Sequence, residues 1–160
     1  MPFEKYPSKM FFRTLDTGEE LRLGTVELPA AASNTRQGFE LRHLRLALYK
    51  HGAHGGSEQL RVRIYPNADH ATPVHTSDWL SLSSITTLST YWLGWLRFDF
   101  ARAHLWGLTY HVTVQAQNYT RNGDSYYLGF KFDWPDRVNS VVAGAHGLRI
   151  GAQMGLVGYQ

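Results

Sequence analysis

Period-two alternation of apolar and polar residues constrains this chain more than any other feature. Leu44, Leu46 and Leu48 alternate with His43, Arg45, Ala47 and Tyr49, and Leu60, Val62 and Ile64 with Arg61, Arg63 and Tyr65. Further along, Leu96, Phe98 and Phe100 alternate with Arg97 and Asp99. The pattern returns in Tyr110, Val112, Val114 and Ala116, set against His111, Thr113 and Gln115, and in Leu128, Phe130 and Phe132, set against Tyr127, Gly129, Lys131 and Asp133. Successive side chains of a strand point to opposite faces, so each segment offers one apolar and one largely polar face. No amphipathic helix of three turns stands out beside them.

The glycine-rich stretch from His51 to Glu58 is too short for a helix and predicts a hairpin joining the first two segments, although pairing with remote strands would give the same text. The three later segments predict one half of a sandwich, with a turn at Asn122-Gly123. Met10 to Leu15 and Leu21 to Leu28 are further strand candidates, the second interrupted by Gly24 at a bulge. Ala30 to Gln37 and Pro66 to Asp78 read as loops, and Ser81 to Thr90 is ambiguous. Leu148, Ile150, Ala152, Met154 and Leu156 share one parity, with Gly147, Arg149, Gly151, Gln153 and Gly155 on the other. That pattern predicts a final strand with a nearly bare outer face, or alternatively a loose glycine-rich tail. The expectation is one all-β domain spanning residues 1–160: an antiparallel two-sheet sandwich of jelly-roll type with about eight strands.

Composition agrees and removes several function classes. Aromatic residues number 22 of 160, a load that suits sheets. Without cysteine, disulfide scaffolds, zinc ribbons and thiol catalysis are excluded together. Net charge is +3, with no Lys/Arg run to track nucleic acid, so no nucleic-acid partner is expected. No apolar run approaches the roughly 20 residues that span a bilayer, and neither membrane insertion nor a secretory signal is expected.

The side chains that could carry chemistry do not assemble into a known motif. His51 and His54 lie in one stretch and His70 and His75 in another; metal ligands must converge, and these read as surface loops. Asp99, Asp133 and Asp136 could bind calcium or act as paired carboxylates, but strand-end positions explain them more simply. Neither a Gly-x-Ser-x-Gly elbow nor a phosphate loop is present. No catalytic residue, metal or cofactor is therefore expected, and the chain reads as a non-enzyme. The tryptophans suit core or end-capping roles, yet parity turns Trp92 inward and Trp95 outward beside Arg97. Tyr91, Trp95, Arg97, Arg61 and Arg63 are the candidate ligand or partner surface, since flat aromatics and arginines favour sugars and protein interfaces. Arg42, Arg45, Arg61 and Arg63, with Tyr49 and Tyr65, would share the polar faces of the expected hairpin.

The run Leu44-Arg45-Leu46-Ala47-Leu48-Tyr49, then Leu60-Arg61-Val62-Arg63-Ile64-Tyr65-Pro66-Asn67-Ala68-Asp69, opens a recognisable rhythm. It continues as Trp95-Leu96-Arg97-Phe98-Asp99-Phe100, Leu108-Thr109-Tyr110-His111-Val112-Thr113-Val114 and Tyr126-Tyr127-Leu128-Gly129-Phe130. Across roughly residues 40–133 this order resembles jelly-roll β-sandwich domains of carbohydrate-binding modules and, more nearly, of bacteriophage virion accessory proteins. The resemblance implies a virion structural protein: capsid cement or decoration, or a fibre or tail component. Its implied partners are other virion proteins and further copies of itself, a trimer being favoured. Residues 1–15 and 147–160 would be the subunit-contacting segments, with Phe11, Phe12, Arg149, Gly151, Gln153 and Gly155 at the contact. The alternative it implies is a carbohydrate-binding or host-receptor-binding domain that meets a host-surface glycan through exposed aromatics. No residue here matches the calcium or sugar-platform motifs of the carbohydrate-binding relatives.

Overall fold

A computed structural model describes residues 11–27, 39–52, 56–84, 91–105, 109–123, 125–132 and 152–158. Ten strands form among them: β1 (Phe11–Leu15), β2 (Glu20–Glu27), β3 (Phe39–His51), β4 (Gln59–Tyr65), β5 (His75–Thr76), β6 (Leu80–Ser81), β7 (Tyr91–Leu105), β8 (Thr109–Gln117), β9 (Tyr127–Phe132) and β10 (Ala152–Gly158). A single 3-10 turn at Leu82–Ser84 is the remaining regular element among the described residues. The strands build two antiparallel five-stranded sheets, as the alternation requires. In the first sheet β1 pairs with β9, β9 and β10 pair with β3, and β7 also pairs with β3. In the second, the order is β2-β8-β4, with β5 and β6 both on β4.

The segments follow the text closely, but their partners do not. β3 and β4 are not a hairpin: they lie in opposite sheets. Alternation specifies which face of a strand is buried and leaves its neighbour open. The chain leaves the first sheet at Gly52, whose φ is +86° and where an added Cβ would lie 2.0 Å from the Ser125 carbonyl oxygen. Only glycine passes so close to another backbone in that conformation. Likewise β7, β8 and β9 do not form one half of the sandwich, since β7 and β9 belong to the first sheet and β8 to the second. The number of strands exceeds the expected eight because the long loop after Pro66 contributes two-residue pairings, Arg63 with Thr76 and Leu60 with Leu80 among them.

Inward-facing residues close the core between the sheets. Leu15, Leu21, Leu44, Leu46, Leu48, Val62, Ile64, Phe98, Val112, Val114, Leu128 and Phe130 are all buried. Each such side chain contributes roughly 1.5–3 kcal/mol through removal from water. Gly24 does sit at a bulge: the register of β2 on β8 shifts between Arg22 and Gly24, and Gly24 has φ +144°. A second irregularity has no glycine to announce it. Where Leu41 pairs with Ala103 and His43 with Asp99, both strands change parity, so the inward residues of β7 run Leu96, Phe98, Phe100 and then Ala103, Leu105.

Polar groups are also drawn inside. Lys50 continues the inward parity of Leu46 and Leu48 and is buried, as is Glu58 just before β4. Burial lowers the Lys50 pKa, and the charge of Glu58 opposes that shift. Tyr119 ties the first sheet to the loop after β8: its hydroxyl donates to the Leu15 carbonyl at 2.7 Å and accepts from the Leu128 amide at 3.2 Å.

Candidate functional site

The outer face of the second sheet carries the most organised polar surface among the described residues. Antiparallel register sets its rows: Gln59 opposite Gln117, Arg61 opposite Gln115, Arg63 opposite Thr113, and Tyr65 opposite His111. On the far side of β8, Glu20 lies opposite Gln115 and Arg22 opposite Thr113. Those positions face outward because Leu60, Val62, Ile64, Val112 and Val114 fill the core from the same strands.

Two networks occupy this face. In one, Glu20 accepts from the Tyr65 hydroxyl at 2.5 Å and from Thr113 Oγ1 at 2.7 Å, while a guanidinium nitrogen of Arg63 lies 3.6 Å away. Desolvation would raise the Glu20 pKa, but the hydrogen bonds from Thr113 and Tyr65 and the charge of Arg63 outweigh it and hold the carboxyl below its ordinary value. Tyr65 is correspondingly pushed up, by burial and by donating to Glu20. His70 closes this end from the β4–β5 loop, its ring 5.1 Å from that of Tyr65 and 5.4 Å from that of His111. It does so from a left-handed backbone, φ +54°, uncommon outside glycine, and its Nδ1 is buried without a hydrogen-bond partner among the described residues. The His111 pKa is lowered by burial and by His70, against an opposing pull from Asp69.

In the other network, Arg61 Nε donates to Gln115 Oε1 at 2.9 Å, and the guanidinium sits 4.3 Å over the ring of Trp79. Gln117 donates to Gln59 in the next row. Burial and then the neighbouring Arg63 lower the Arg61 pKa, and it remains a cation.

The outer face of the first sheet is organised differently. Trp95 lies opposite Ala47 and is half-buried; Arg97 lies opposite Arg45 and pairs with Asp99 in its own strand, Nε to Oδ1 at 2.8 Å. Tyr127 stacks with His51 at 5.2 Å and meets Tyr49 at 5.8 Å. Tyr91 takes the register position opposite His51.

The expected ligand surface is therefore divided. Trp95, Arg97 and the position of Tyr91 belong to the first sheet, and Arg61 and Arg63 to the second. The expected Arg/Tyr surface separates likewise, with Arg42, Arg45 and Tyr49 in the first sheet and Arg61, Arg63 and Tyr65 in the second, because β3 and β4 are not neighbours. Tyr65 is moreover buried beneath His70. Phe11 and Phe12 take register positions opposite Phe132 and Lys131; Gln153 and Gly155 lie opposite Arg45 and His43. Arg149 and Gly151 fall outside the described residues, as do His54, Trp106, Trp134, Asp133 and Asp136. His75 meets the His104 carbonyl at 2.7 Å. Among the described residues no group of three or more His, Asp or Glu side chains converges as metal ligands would.

No sequence signal joins Glu20, His70, His111 and Gln115 into one surface, and the core or end-capping role that the sequence suggests for Trp79 does not announce its contact with Arg61. Glu20 and Thr113 are far apart in the chain, and no local pattern joins them. Comparison with protein-family models, curated proteins and solved structures finds no match to this chain.

Proposed function

We propose that this chain is a non-enzymatic jelly-roll module of a bacteriophage virion, a cement, decoration, fibre or tail component that holds neighbouring subunits together by protein–protein contacts. Support for the jelly roll comes from the pairing order, β1-β9-β3-β7 in one sheet and β2-β8-β4-β5 in the other, with β1 to β4 and β7 to β9 passing between sheets at every step. The observation that carries the assembly role is β10. It stands beyond that eight-strand set and begins opposite Leu46, just past the Leu48–His51 stretch that β9 occupies on the same edge of β3. Among the described residues its pairing is with β3 alone, and a strand edge of that kind accepts a strand from a neighbour. Light scattering at two concentrations tests this. The full chain is expected as a closed trimer that a chain lacking residues 147–160 no longer forms. Equal masses for both, with unchanged particle stability, would overturn it.

A second reading, a glycan-binding or host-receptor-binding domain, is favoured by the Arg61–Trp79–Gln115 arrangement. Planar amide and guanidinium groups, the guanidinium held over an indole, match the hydroxyl pairs of a sugar. Trp79→Ala with retained assembly and lost glycan binding would select this reading.

A further inference from the structure

Three features of the second sheet's outer face bear on what it can hold. The Arg61 guanidinium is held along its Nε edge by Gln115 and on one face by the Trp79 ring. Among the described residues no carboxylate pairs with it; Glu20, the acid of this face, is taken by Tyr65, Thr113 and Arg63. Arg63, two residues along on the same face and about 7 Å away by the rise of a strand, has its charge met by Glu20 at 3.6 Å. A guanidinium whose Nε is already used presents its two terminal nitrogens as a fork, and a fork held by stacking loses little freedom when it binds.

We infer that this face binds an acidic glycan, with the Arg61 fork receiving a sugar carboxylate and Trp79, Gln59 and Gln117 bordering the adjoining rings. This rests on the glycan-binding reading above and adds the class of sugar. A glycan is favoured over an acidic peptide because the face is a flat array of planar polar groups, with Val74 the one large apolar side chain exposed among the described residues. A peptide would need an apolar pocket or an open strand edge for its specificity, and β4 already has partners on both edges.

The test is calorimetric titration of the full chain with tri-galacturonate, its methyl ester and hexaglutamate, at low and high salt. Tri-galacturonate is expected to bind, weakening with salt, and the ester to bind at least about tenfold more weakly, since a charge-assisted fork is lost. Arg61→Gln is expected to weaken the acid about tenfold and the ester by less, so that the gap between them narrows, with Arg61→Lys intermediate because charge without fork geometry remains. Arg97→Gln, on the other sheet, is expected to change nothing, and matching circular dichroism of all variants establishes that they fold. Equal binding of acid and ester would overturn the inference while leaving the glycan reading intact. Binding of neither sugar would overturn both, and hexaglutamate binding as well as tri-galacturonate would overturn the assignment to a glycan.

Discussion

β4 and β7 carry nearly the same text, Leu60-Arg61-Val62-Arg63-Ile64 and Leu96-Arg97-Phe98-Asp99-Phe100, and do different things with it. Both bury the apolar positions and turn the charged ones outward. In β7 the outward pair is Arg and Asp, and it closes on itself at 2.8 Å, with the side chains 53% and 57% exposed. In β4 the outward pair is Arg and Arg, which repel. Their partners come from other elements: Gln115 on β8, Trp79 beyond β5, and Glu20 on β2. A pair satisfied within one strand makes a solvated surface. A pair that cannot be satisfied locally organises several elements around it, and leaves one cation available to a ligand.

The largest effect should come from the shared layer beneath both pairs. Phe98→Ala is expected to cost about 3–5 kcal/mol in chemical denaturation, because it empties a fully buried ring site. It should weaken the second face no more than the loss of folded protein explains; a specific loss of ligand affinity would break the separation of the faces.

Next in size is Glu20→Gln. Removing the charged acceptor of the Tyr65 and Thr113 hydroxyls is expected to cost about 1–2 kcal/mol near neutral pH. Because the folded pKa lies below 4.5, the stability it reflects is present above that value and is lost as pH falls through the folded pKa. Wild type and variant should therefore converge in acid, which thermal melts across pH would show. A constant gap would mean that Glu20 acts by packing alone.

Histidines sharpen the comparison across a different range. His43 on the first sheet is lowered by burial and by Arg97 and Arg45, with Asp99 opposing; His111 on the second is lowered by burial and His70. In both, folding favours the neutral ring, so stability is full above 6.5 and falls as pH drops from there toward the folded pKa. His43→Gln and His111→Gln should each flatten that decline; an unchanged profile in either would show that its ring titrates alike folded and unfolded.

The smallest effect belongs to β7. Asp99→Asn breaks an exposed pair within one strand and should cost about 0.2–1 kcal/mol, shrinking with salt. A loss comparable to that of Glu20→Gln would show that local pairs and cross-strand networks do not differ as described.

What the amino-acid sequence determined by itself is the longer strand segments, most of their buried faces and the Gly24 bulge, because period-two alternation and glycine are local signals. It left partners undecided: β3 and β4 lie in opposite sheets, and Arg45 and Arg61 are divided with them. Nothing local revealed the parity change near Phe100, the buried Lys50, or the convergence of Glu20, Tyr65 and Thr113. Those were decided by tertiary structure, since burial of an apolar face is satisfied by any apposing sheet. The partner, and hence which polar groups become neighbours, depends on loop geometry and on close approaches such as that of Gly52 to Ser125.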